Sequence, residues 1–118
     1  MMSWVTDVLV LCSLEECLGE NGFVPASQEP PVPIANLNQW LLSRGLGKLV
    51  CLDQYALGGG KAFQAVVFGS AFNHLPVAEF VAALQSQSWA APESVQLLTK
   101  DEEAPLFVLH SPAVASGA

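Results

Sequence analysis

Apolar residues in this chain occur either in short unbroken runs or at helical spacing, and the two patterns alternate. Residues 4–14 are rich in Val and Leu, and Val8 to Cys12 is apolar throughout. A short continuous run with β-branched members predicts a strand buried on both faces, hence central in a sheet. Residues 15–33 carry Gly19, Gly22, Pro25, Pro30, Pro31 and Pro33, and read as one long loop. Ile34, Leu37, Trp40 and Leu41 then recur at helical spacing. They predict a helix capped by Asn36, running to Ser43 and ended by Gly45 and Gly47. Residues 48–55 read as a strand, with Leu49, Cys51, Asp53 and Tyr55 on one face and Val50, Leu52 and Gln54 on the other. Gly58-Gly59-Gly60 makes a turn, and residues 63–72 return as the second arm of a hairpin. Pro76 fits the first turn of a second helix, whose stripe is Val77, Phe80, Val81 and Leu84. Residues 94–100 and 106–110 read as two more strands around the polar turn Asp101 to Pro105.

The resulting order is β-α-β-β-α-β-β. Its first six elements match the ferredoxin-like β-α-β-β-α-β arrangement, an α+β fold with an extra C-terminal strand here. Right-handed crossovers place both helices on one face of a mainly antiparallel sheet. Residues 1–110 are expected to form a single domain. The small residues of 111–118 are expected to form a flexible tail.

Composition narrows the partners. A chain of 118 residues can bury a core without metal or disulfide staples. Charged residues make up 13%, about half the usual share, so the surface is poor in charge. Four basic residues face eleven acidic ones, a net charge of −7. That balance argues against nucleic acid, which needs a basic footprint, and against an anionic membrane. It favours a basic protein partner, drawn in by long-range attraction. A structural subunit that oligomerises by an exposed sheet edge or face is a third reading, and the 52% hydrophobic content makes a homodimer credible. Three cysteines, Cys12, Cys17 and Cys51, are an odd set without zinc spacing, and free thiols fit a reducing compartment. The first residues lack a basic leader region, and no run reaches 18 apolar residues. A cytoplasmic location is the expectation.

Candidate chemistry is sparse. Gly58-Gly-Gly-Lys61 is not a phosphate loop, because Ala62 stands where the magnesium-binding hydroxyl belongs and a strand follows. Asp53, Tyr55, Lys61, Asn73 and His74 form a possible ligand cleft beside the hairpin. Asp7, a carboxylate inside an apolar strand, is a further candidate. His74 and His110, the only histidines, lie in no triad signature and have no metal-ligand spacing. No cofactor, metal or catalytic residue is expected. The broadest signal is acidic: Glu15, Glu16, Glu20 and Glu29 in the first loop, and Asp101, Glu102 and Glu103 in the last turn. All but Glu29 are candidate partner-binding charges, with Tyr55, Leu57 and Trp89 as apolar anchors. Packing beneath the turn to Pro92 is the alternative for Trp89.

Four short pieces carry a resemblance: Trp4-Val-Thr-Asp7 opening a strand, Gly58-Gly-Gly-Lys61 in a hairpin, Ala71-Phe-Asn73 before a helix, and Leu97-Leu-Thr-Lys100 before an acidic turn. In these the chain resembles the small cytoplasmic immunity proteins of bacterial polymorphic toxin systems. The resemblance implies a non-catalytic protein that binds and neutralises one cognate toxin. A small-molecule-binding protein or minor enzyme, with its cleft near Gly58–Lys61, is the alternative.

Overall fold

The computed structural model describes residues 4–52, 58–61 and 63–110. Seven strands and two α-helices follow in the order β1 (Val5–Ser13), β2 (Leu18–Gly19), β3 (Gly22–Phe23), α1 (Val32–Ser43), β4 (Val50–Cys51), β5 (Ala65–Asn73), α2 (Val77–Gln85), β6 (Gln96–Asp101) and β7 (Val108–His110). Five of the strands form one sheet in the order β4-β5-β1-β6-β7, and β2 and β3 form a separate small hairpin. Every pairing is antiparallel. The architecture is α+β, two helices and a five-stranded antiparallel sheet.

The strand alternation decides where the core lies. Thr6, Val8, Val10 and Cys12 of β1 are buried, with Val66, Phe68 and Phe72 of β5 and Leu97 and Thr99 of β6 on the same side. Ile34, Leu37 and Leu41 of α1 and Phe80 and Leu84 of α2 join that same buried cluster. The rings of Trp40 and Phe80 meet at 5.7 Å between centroids, tying the two helices together. Both helices therefore cover one face of the sheet.

Sequence pattern and structure part company at three points. β1 is central, as its apolar run implies, but α1 and α2 cover only one of its faces. Val8 and Val10 are buried, whereas Leu9 and Leu11 are half-buried and Asp7 is exposed. Next, α1 begins at Val32, four residues before Asn36. Its first turn contains Pro33, and proline is tolerated there because the first helical N–H groups have no partner within the helix. Asn36 is thus inside the helix, and its Nδ2 donates to Gln87 Oε1 at 3.0 Å. Finally, the long loop holds elements of its own. A 3₁₀ turn over Leu14–Cys17 leads into the β2–β3 hairpin.

Candidate functional site

The sheet face opposite the helices is the most distinctive surface of the molecule. The register lines up Val50, Gly69, Leu9, Leu98 and Leu109 in one row across all five strands. Beside it run Val67 and Leu11, paired across β5 and β1, with Leu52 next to Val67 through its N–H bond to the Val67 carbonyl. An antiparallel sheet with one solvated face ordinarily alternates apolar inside with polar outside. Here the outside positions across the middle of the sheet are apolar too. Val50, Leu52, Phe107 and Leu109 are 46%, 39%, 41% and 57% exposed.

Gly69 shapes this face. A Cβ there would stand 2.9 Å from Leu52 Cδ1, 2.9 Å from the Val8 carbonyl oxygen and 3.0 Å from Leu9 Cδ2. Without one, the two leucines close over the backbone, and a shallow depression lined by Leu9, Leu52, Gly69 and Phe107 remains. The charged residues on the described strands of this face are Asp7 and Lys100, which stand directly opposite each other on β1 and β6. Opposite charges facing each other across strands attract, and together they leave the face neutral.

The acidic residues singled out in the sequence are divided between the two ends of β1. Nine residues at about 3.3 Å each put those ends roughly 25–30 Å apart, so the two acidic groups do not share one face. At the far end, Glu15 and Glu20 are exposed. Glu16 instead is half-buried, and its two oxygens accept from the backbone N–H of Ala90 at 2.9 Å and of Ala91 at 2.8 Å. At the near end, Glu102 Oε1 accepts from Val5 N at 2.6 Å, and Asp101 Oδ1 accepts from the hydroxyl of buried Thr6 at 3.0 Å. Glu103 is exposed. Glu16, Asp101 and Glu102 thus hold the fold together, although Glu102, like Glu15, Glu20 and Glu103, is exposed.

Trp89 is 7% exposed, and its indole N–H donates to the Leu84 carbonyl at 2.8 Å. It belongs to the core and is not a surface anchor. Asp53, Tyr55 and Leu57 lie outside the described residues. The remaining members of the sequence-derived cleft do not converge. Lys61 precedes β5, whereas Asn73 ends it and His74 follows, so the full length of a nine-residue strand separates them. Asn73 Oδ1 accepts from Trp4 N at 2.9 Å, and His74, in the left-handed region at φ 59°, donates its N–H to the Trp4 carbonyl. Both close off the end of the sheet. Asp7 sits exposed on the open face, and His110 Nε2 lies 2.8 Å from Thr99 Oγ1 at the β6–β7 pair.

Cys12, Cys17 and Cys51 are buried. Among the described residues, no three His, Cys, Asp or Glu side chains are grouped to hold a metal ion, and no helix is long and apolar enough to cross a membrane. Sequence reasoning did not place the open face. Its signal was the unbroken apolar run of β1, read as burial on both sides.

Comparison of the chain with protein-family models, with curated proteins and with solved structures finds no match.

Proposed function

We propose that this chain is a non-catalytic protein-binding module that works through the uncovered face of its sheet. The observation carrying this reading is the apolar row Val50–Gly69–Leu9–Leu98–Leu109, on the face that α1 and α2 leave uncovered. Contiguous apolar patches of more than a few hundred Å² are uncommon on monomers and mark interaction sites. The fold we assign to the module is ferredoxin-like. The order β4-β5-β1-β6 and the two helices on one face support this, with β7 as an added edge strand.

Within this reading, the form implied by the resemblance is an immunity protein that binds a cognate bacterial toxin. The net charge of −7 supports it, because acidic groups speed encounter with a basic protein. Among the candidate partner-binding charges, Glu15, Glu20, Glu102 and Glu103 are exposed and available for steering. The test is co-expression and pull-down with the products of neighbouring genes. The reading expects one neighbour to be toxic alone, harmless beside this chain, and captured by it at a rate that falls as salt rises. Loss of capture in L52K and L109K would assign the contact to the sheet face. If no neighbour is toxic and none is captured, the immunity form is refuted. If a partner is captured equally by wild type and both lysine variants, the sheet face is not its contact surface.

A further inference from the structure

The uncovered face has the size, charge and shape for one particular occupant. We infer that it pairs with the same face of a second copy of this chain, giving a two-fold symmetric dimer with the two sheets packed face to face and the helices outside. This rests on reading the face as a protein-binding surface and goes on to name what binds there.

Area is the first argument. Strands of nine, nine, six, three and two residues at ordinary spacing give the sheet a backbone footprint of about 450 Å². Side-chain relief adds to it, so two copies would bury about 1,000 Å² in total, the threshold for a specific protein–protein interface. An interface at that threshold forms a reversible dimer rather than a permanent one.

Charge is the second argument. A chain of net charge −7 repels its own copies over most of its surface. This face is the exception, because its described strands carry one carboxylate, Asp7, and one ammonium, Lys100. In a two-fold interface each residue i that meets j is matched by a j that meets i. Asp7 of one copy can therefore meet Lys100 of the other at two symmetric places.

Shape and sequence supply the third. Leu9 and Leu98 stand side by side near the middle of the row, so a two-fold axis between the two sheets, running along the strands between β1 and β6, brings the apolar rows together and sets Asp7 of each copy against Lys100 of the other. Face-to-face sheets pack at about 10 Å with their side chains interleaved. The depression above Gly69 gives room for a side chain from the opposing face. A partner sheet also restores to β1 the burial on both sides that its apolar sequence implies. The dimer leaves Glu15, Glu20 and Glu103 at the ends of the sheet, where a different, basic protein can still approach.

The experiment is sedimentation equilibrium of the full chain from about 1 to 500 μM, with wild type, L52K, L109K and L42K. Leu52 and Leu109 are exposed on the face, and Leu42, 52% exposed on α1, is the control away from it. The wild type is expected to move from 12.5 kDa toward twice that mass as concentration rises. L52K and L109K are each expected to raise the dissociation constant about 100-fold, because the two-fold axis places every substitution in the interface twice. L42K should leave it unchanged. A wild type that stays at the monomer mass throughout overturns the inference. So does a dimer that L42K weakens or that both face variants leave intact. Far-ultraviolet circular dichroism and melting verify that each variant is folded. A monomer that still captures a different protein, and loses it in L109K, refutes self-pairing while leaving the binding-module reading standing.

Discussion

Replacing Glu16 with alanine should destabilise the protein far more than removing the carboxylate next to it in the chain. Glu16 lies in the 3₁₀ turn after β1, and both its oxygens reach the backbone N–H groups of Ala90 and Ala91, just before β6. Hydrogen bonds to a charged group contribute roughly 1.5–3 kcal/mol each. The two N–H groups do not lose equally. Ala90 is exposed, and water replaces its acceptor at small net loss. Ala91 is 1% exposed, so its N–H is left without an acceptor. That orphaned donor, with the lost charge-assisted bond, sets the loss in E16A at about 3 kcal/mol. E16Q should lose nearly as much, because its amide NH₂ faces one of the two N–H donors. The exposed carboxylate of Glu15 has no such role, and E15A should stay within about 0.5 kcal/mol of wild type. Urea unfolding followed by circular dichroism measures all three. A loss of 3 kcal/mol moves the midpoint by about 1.5–2 M at the slope usual for a chain of this size. An E16A midpoint level with that of E15A, at unchanged slope, would refute the structural role assigned to this carboxylate.

Three other outcomes follow from the packing. G69A should cost about 1–3 kcal/mol in the same assay, since the Val8 carbonyl, 2.9 Å from the new Cβ, cannot swing aside as the leucine tips can; wild-type stability would refute the close approach. W89F should cost about 1–2 kcal/mol by leaving the Leu84 carbonyl without its indole donor, and a midpoint shift below about 0.3 M urea would count against that bond. The thiols of Cys12, Cys17 and Cys51, 1%, 5% and 7% exposed, should react with a thiol reagent in the folded protein only at the rate of opening, and all together in denaturant. Immediate reaction of any of them in the native state would contradict its burial.

Local pattern carried the elements that pack by a stripe or a strand face. The spacing of Phe80 and Leu84 after Pro76 marked α2, and the apolar run of β1 marked the central strand, because burial leaves its period in the sequence. What the pattern could not carry was which faces receive a cover. Leu9 and Leu11 look as interior as Val8 and Val10, and only the placement of α1 and α2 separates them. Proline misled at the start of α1, since Pro31 and Pro33 serve equally in a loop and in a first helical turn. The described members of the proposed cleft lie apart for a topological reason. Lys61 and His74 are near in sequence yet separated by the whole of β5. The structural roles of Glu16 and Glu102 depend on bonds spanning 74 and 97 residues, and no local motif announces such a bond.

The place of β1 at the centre of the sheet also sets a timetable. Thr6 pairs on one side with Phe72 and on the other with Asp101. At translation speeds of roughly 5–20 residues per second, about 5–20 s pass between synthesis of β1 and of its last partner. Until β5 is made, β1 has no strand to pair with, and its other edge stays open until β6 follows. Contacts so distant in sequence also slow folding once the chain is complete, because the loop must close before any pairing is gained. The period of greatest danger for this molecule is therefore its synthesis, when β1 is a sticky segment that a chaperone or a neighbouring nascent chain can seize.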